Sequence, residues 1–294
     1  MTQDFDLQRT LREVQLNGYL ALEAQYKDNH RFFTNTMFLR QAIDEARVQQ
    51  GFTDAEVNDV RRTQLKFITN QLFTQQVGGD HLFENLNNLK IDWVYTNSTA
   101  NRTEPNTRDY RYDENDDGSY SFSRRADSNQ ISYGELEDKD VSWRMDVKLP
   151  LEFDNGFGVS LNSGFIHQEK NRESAIQRFT YIPVGPDGRD SEVLAQSSLE
   201  DILNPTYITP NGFQVRESTR STDRYNAHQE LLSYYGQLDM NFFDAVRVTG
   251  GLRWEENDQF VETFKATGNS SESVVTSVKK TDMLPAVSAT WFIN

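Results

Sequence analysis

From Val141 to Phe153 the chain alternates without a break. Val141, Trp143, Met145, Val147, Leu149, Leu151 and Phe153 are apolar, and Ser142, Arg144, Asp146, Lys148, Pro150 and Glu152 stand between them. A period of two puts every large side chain of the run on one face of a strand, whereas on a helix the same residues would scatter around the axis. Asp154-Asn155-Gly156 follows. Asn-Gly accepts the positive φ angles of a tight hairpin turn, so a second strand is expected to return beside the first. Phe157, Val159, Leu161 and Phe165 supply it.

The design recurs. Leu20, Leu22, Ala24 and Tyr26 lead through Lys27-Asp28-Asn29-His30 to Phe33, Met37 and Leu39. Leu65, Phe67 and Phe73 precede a Gly78-Gly79-Asp80-His81 connection, and Leu89, Ile91, Trp93 and Tyr95 follow it. Leu232, Tyr234, Leu238, Met240 and Phe242 turn at Phe243-Asp244-Ala245 into Val246, Val248, Leu252 and Trp254, and Val287, Ala289, Trp291 and Ile293 come last. This predicts about nine strands, at roughly 19–27, 31–46, 57–75, 87–102, 139–153, 156–180, 226–243, 246–264 and 280–293. Connections after the odd strands are short. Those after the even strands, over roughly 47–56, 103–138, 181–225 and 265–279, are long and polar.

Strict short–long alternation implies an antiparallel up-and-down meander with different constraints at its two ends, the pattern of bacterial outer-membrane barrels. Most runs also reach the roughly 9–11 residues that a tilted strand needs to cross a bilayer. Tyr26, Phe32, Phe33, Phe153, Phe157, Phe242 and Phe243 stand beside short turns, and Trp143 and Trp254 stand farther up their strands, so two aromatic belts are expected. The fold class expected is all-β: a partial transmembrane β-barrel of about nine long strands.

A formal net charge of −15 excludes a nucleic-acid partner, which needs clustered Lys and Arg. There is no cysteine, hence no disulfide framework and no thiolate metal site. No stretch approaches the roughly 18 apolar residues of a membrane helix. Met1-Thr2-Gln3-Asp4 lacks the basic and apolar regions of a secretory signal, so the chain is expected to be an internal fragment.

No catalytic constellation emerges: there is no G-x-S-x-G, no phosphate-binding glycine loop and no H-E-x-x-H, and His30, His81, His167 and His228 are isolated in sequence. No enzymatic activity, cofactor or metal is expected. Asp113, Asn115 and Asp117, followed by Gly118, match the first half of a calcium loop, but its twelfth position is Arg124 instead of Glu, which favours a solvated acidic loop. Ligand contacts are expected in the two longest connections, where Tyr110, Tyr112, Tyr120, Phe122, Tyr207 and Phe213 have rings suited to stacking on a planar or sugar ligand.

Three motifs resemble a known family. Tyr235-Gly-Gln-Leu-Asp239 followed by Val246-Arg-Val-Thr-Gly-Gly-Leu-Arg-Trp-Glu255 is similar to a hairpin of TonB-dependent outer-membrane receptors, and Met283-Leu-Pro-Ala-Val-Ser-Ala-Thr-Trp291 to the strand after it. Ile91–Ser98 with Asn101–Pro105 and Arg108–Tyr110 resembles another such hairpin. The resemblance implies that residues 1–294 are a piece of the receptor barrel domain, without its plug. It also implies energised uptake of a scarce nutrient such as a siderophore, cobalamin or an oligosaccharide. The partners implied are outer-membrane lipid, the inner-membrane TonB complex and a small nutrient ligand, in the outer membrane of a Gram-negative bacterium. A passive porin-like barrel and a soluble β-rich binding module are the alternatives.

Overall fold

The computed structural model describes residues 3–53, 59–125, 128–153, 157–195, 199–243, 245–265 and 272–293. Nine long strands form one antiparallel meander: β1 Gln3–Tyr26, β2 His30–Thr53, β3 Val60–Phe83, β4 Leu89–Glu114, β6 Gln130–Phe153, β7 Phe157–Pro183, β9 Arg224–Phe242, β10 Val246–Phe264 and β11 Ser273–Trp291. Each pairs with its neighbours in that order. Two short strands join at one end: β5 Tyr120–Phe122 pairs β4, and β8 Phe213–Glu217 pairs β7. The up-and-down meander is therefore as expected.

The barrel is not. The sheet runs from β1 to β11, and among the described residues the two terminal strands do not pair with each other. Strands alternate in direction along the meander, so β1 and β11 point the same way, and antiparallel closure between them is impossible. An open sheet leaves two rows of unpaired N–H and C=O groups, which a hydrocarbon interior does not tolerate. The expected transmembrane strands are corrected on the same ground.

The strands are longer than their apolar runs suggest. The first half of β1 is polar, with Leu7, Leu11 and Val14 out of strict alternation, but it is held residue for residue by β2. Gly78 and Gly79 lie inside β3, not in a connection, and the chain turns instead at Glu84–Asn88. A Cβ on Gly78 would lie 2.4 Å from the Phe33 ring and 2.7 Å from the Trp93 carbonyl oxygen, and one on Gly79 would lie 2.8 Å from the Trp93 indole nitrogen. The glycines are places where rings and a neighbouring backbone close over the strand. The expected Asp154-Asn155-Gly156 turn falls outside the described residues.

β4 runs twelve residues beyond its expected end, through Pro105. A proline has no N–H for the ladder, and here a bulge absorbs it. Between Glu104 and Thr107 the register to β6 shifts, as it does toward β3 between Leu65 and Thr69. The extra residue reverses which side chains of β4 face which side.

The register sorts the sheet into two faces. One face is uncharged over its turn-side half. There Phe153, Phe157, Phe242, Val246 and Trp291 lie in one cross-strand row, with ring centroids 5.6 Å apart for Phe153–Phe157 and 5.1 Å for Phe157–Phe242. Two aromatic pairs stand farther up the same face, in adjacent cross-strand rows: Tyr95–Trp143 (4.5 Å) and, one row nearer the turns, Tyr234–Trp254 (6.0 Å). Of the aromatics expected beside the short turns, Phe32, Phe153, Phe157 and Phe242 lie on this face, and Phe33 lies on the other. The other face is polar.

Candidate functional site

Among the described residues, short connections at 27–29 and 84–88 join strands at one end of the sheet, and a cap is built at the other. After β7 the chain forms two short helices, α1 Ser191–Leu194 and α2 Leu199–Ile202, before returning as β8. The Asp190 carboxylate accepts from the Glu192 N–H at 2.8 Å and caps α1. The Asn204 side chain donates to the carbonyls of Glu200 (3.1 Å) and Asp201 (2.8 Å), closing the end of α2. These contacts satisfy backbone groups that such short helices leave open.

The apolar core of the chain sits in this cap. Tyr110, Tyr112, Phe122, Leu194, Ile202 and Phe213 are buried together, and Tyr120, Leu203 and Tyr207 pack against them. Phe122 meets Tyr112 and Phe213 edge-on, at 5.6 and 5.8 Å. All six ring residues picked out in the sequence are thus gathered in one cluster. Four of them, Tyr110, Tyr112, Phe122 and Phe213, form its interior, and burial pushes the Tyr110 hydroxyl up to about 12. Tyr120 and Tyr207 stand at the rim, where Arg61 lies over the Tyr120 ring at 5.2 Å.

Asn129 had no signal in the sequence, yet it ties the cap together. It is fully buried. Its Oδ1 accepts from the Arg111 N–H (3.0 Å), its Nδ2 donates to the Ser123 carbonyl (2.8 Å), and its own carbonyl accepts from the Tyr181 N–H (3.1 Å). An amide has both donors and an acceptor, so one residue joins β4, β7 and the segment after β5.

The residues of the half calcium loop are spent on a turn. Asp113 pairs with Arg111 at 2.5 Å, Asn115 takes Ser119 and Ser121 as partners, and the Asp117 carboxylate accepts from the Ser119 N–H at 2.9 Å. Gly118, at φ 80°, completes the turn into β5. Among the described residues no three His, Asp or Glu are placed to hold a metal. His30 and His81 do meet, their Nδ1 atoms 3.3 Å apart. The Trp93 indole N–H donates to His81 Nε2 at 3.0 Å, so the His81 proton sits on Nδ1 and is donated to His30. The pair packs among Tyr26, Phe32 and Phe83 on the uncharged face.

On the polar face one cross-strand row carries Arg31, Asp80, Asp92, Asp146, Gly164, Tyr235 and Arg253. Arg31 holds Asp80 at 2.5 Å, and the Tyr235 hydroxyl donates to Asp146 at 2.7 Å. Burial and that bond push Tyr235 up to about 12. Asp92, between two carboxylates, is raised by burial and then by Asp80. A carboxyl raised in the folded state binds protons more tightly there than in the unfolded chain. Its contribution to stability is therefore greatest at acid pH and is lost as pH rises through the raised value. Asp92→Asn is expected to stabilise the fold by up to about 1 kcal/mol at neutral pH, the screened scale of exposed charges, and by less as pH falls. Urea melts at neutral and mildly acidic pH measure this, and a gain independent of pH would refute the like-charge explanation.

Beside the cap, on the polar face, β2, β3 and β4 wall a half-open cavity of about 440 Å³. It is lined by Arg47, Arg62, Arg111 and Arg125, with Asp109 and Gln64 among the other residues of its wall. The bulge in β4 brings Asp109 and Arg111 to this face and sends Tyr110 and Tyr112 to the opposite one, into the cap core.

No protein-family model and no curated protein matches the chain. Among solved structures it is similar to the closed form of the ferric-catecholate import receptor Fiu from E. coli K12, at 9% identity over 100% of this chain and 48% of that one, with a TM-score of 0.44. It is also similar to the siderophore receptor PiuA from Acinetobacter baumannii, at 11% identity over 94% and 47%, with a TM-score of 0.35. The ferric citrate transporter FecA gives 10% identity over 99% and 43%, with a TM-score of 0.38. The chain spans about half the length of the structures it matches. The likeness is distant and partial, and it stops short of a family. Membership of the TonB-dependent receptors is corrected accordingly. Energised uptake through a spanning barrel falls with the unclosed sheet.

Proposed function

We propose that the chain is a β-rich binding module of the Gram-negative outer-membrane compartment, and not an enzyme. Its sheet is the carrier, and the capped end holds a small ligand. The observation that supports this reading is the asymmetry of the two ends: the packed core, the short helices and a walled polar cavity gather at one end, and short connections join strands at the other. Binding sites on β scaffolds sit where loops are built up on rigid strands. Tyr120 and Tyr207 serve as stacking surfaces at the rim, and the four buried rings support them. The uncharged face is a broad apolar surface of the kind that marks an interaction site.

The test is ligand-observed NMR with a panel of neutral sugars, planar aromatics, carboxylates and phosphates. At least one class is expected to bind, and Tyr207→Ala is expected to weaken an aromatic or sugar ligand about 2- to 10-fold, the scale of one stacking contact. A folded protein that binds none of the panel would overturn the reading.

A further inference from the structure

We infer that β1 is a dimerisation edge: it pairs antiparallel with β1 of a second copy of the chain, about a two-fold axis at Tyr19. The two outer strands of the open sheet are guarded unequally. β11 carries Lys279, Lys280 and Pro285, the charged and donor-less residues that keep an edge from pairing. β1 has no such guard over Val14–Leu22. That stretch, Val-Gln-Leu-Asn-Gly-Tyr-Leu-Ala-Leu, contains no charge and no proline. Among the described residues it is laddered to β2 on one side and to no strand on the other. Val14, Leu16, Tyr19, Leu20 and Leu22 are each more than half exposed.

The occupant follows from the order of residues along β1. Directly opposed residues of an antiparallel pair share a face of the sheet. In a copy running the other way with Tyr19 opposite Tyr19, Val14 stands opposite Ala24, Leu16 opposite Leu22 and Gly18 opposite Leu20. The register to β2 puts all six on the uncharged face, so that face continues across the seam. The polar face continues too, with Glu13 opposite Gln25, Gln15 opposite Glu23 and Asn17 opposite Ala21. Each carboxylate meets an amide, and no like charges meet. Moving the axis to Gly18 would set Glu13 against Glu23, and moving it to Asn17 would set Arg12 against Leu22. The Tyr19 register lays the run Val14–Ala24 wholly on itself. One sequence thus supplies both sides of the match, and a two-fold pairing closes instead of growing. The seam gains a backbone ladder as well as apolar contacts, as in strand addition to an open edge.

Sedimentation equilibrium in a mild detergent, which occupies the uncharged faces and leaves the edges to pair, tests the assignment. A species of twice the chain mass is expected. Val14→Lys together with Ala24→Lys sets lysine against lysine twice across the seam, and is expected to raise the dissociation constant about 10- to 100-fold. Within one chain these positions face Ala42 and Phe32 of β2, so no like charge is created there. Val14→Lys together with Ala24→Glu sets each lysine against a glutamate and is expected to recover most of the loss. Val287→Lys, on β11, is expected to change nothing. Circular dichroism of each variant confirms folding. A monomer at every concentration would overturn the pairing. So would a mass that grows without limit, which marks β1 joining β11 of the next copy. Equal weakening by the two double variants, or by Val287→Lys, would likewise overturn it, since the contact would then lie elsewhere.

Discussion

Phe213→Ala is expected to open the cap and leave the sheet intact. Phe213 is 1% exposed, begins β8 opposite Pro183, and meets Phe122 edge-on. Its backbone N–H donates to the Tyr207 carbonyl at 2.6 Å, and the preceding Gly212 is so close that an added Cβ would lie 2.0 Å from that same oxygen. The ring therefore anchors a return of the chain that has little room to re-form another way. Emptying such a site costs about 3–5 kcal/mol. The cap shares one small cluster and opens as a local unit, so a loss of that size removes most of its protection. Hydrogen exchange is expected to quicken by two or more orders of magnitude at α1, α2 and residues 204–213, and to stay unchanged in β6 and β7. Unchanged exchange in the cap, or equal quickening in the central strands, would show that the cluster is not an independent unit.

Gly78→Val is expected to be nearly as damaging, in the body of the sheet. Valine normally favours strands, so propensity alone predicts a gain. The geometry predicts the reverse: the new Cβ would sit 2.4 Å from the far edge of the Phe33 ring, which can swing, and 2.7 Å from the Trp93 carbonyl, which cannot move without breaking the β3–β4 ladder. Overpacking of this kind costs about 1–3 kcal/mol, and more where backbone must shift. Gly18→Val is the control, since a Cβ at Gly18 meets nothing within 4 Å. Chemical denaturation is expected to separate the two by at least 1 kcal/mol. Equal midpoints would mean that the glycines of β3 are incidental.

How much of this was legible in advance follows from the range of each interaction. Alternation is local, and the runs at Val141–Phe153 and Leu232–Phe242 name their strands and apolar face without a partner. The cap is different. Tyr110 and Tyr112 stand about a hundred residues from Phe213, and only the cross-strand ladders bring them together. Asn129 carries no local pattern, because its three partners come from three separate segments. Gly78-Gly79 reads as a turn because what it accommodates, Phe33 and Trp93, lies on other strands.

The sequence by itself determined the antiparallel meander, the polar and apolar faces, and the ends at which loops are long. These follow from period two and from turn residues, which act over a few positions. The tertiary structure alone decided three things. It left the sheet open, because closure depends on how the first and last strands meet, and no local pattern encodes that meeting. It carried β4 through Pro105 as a bulge, because the flanking ladders outweigh one missing donor. By that one extra residue it turned Tyr110 and Tyr112 into the cap and Asp109 and Arg111 into the cavity, where strict alternation would have placed each pair on the other face.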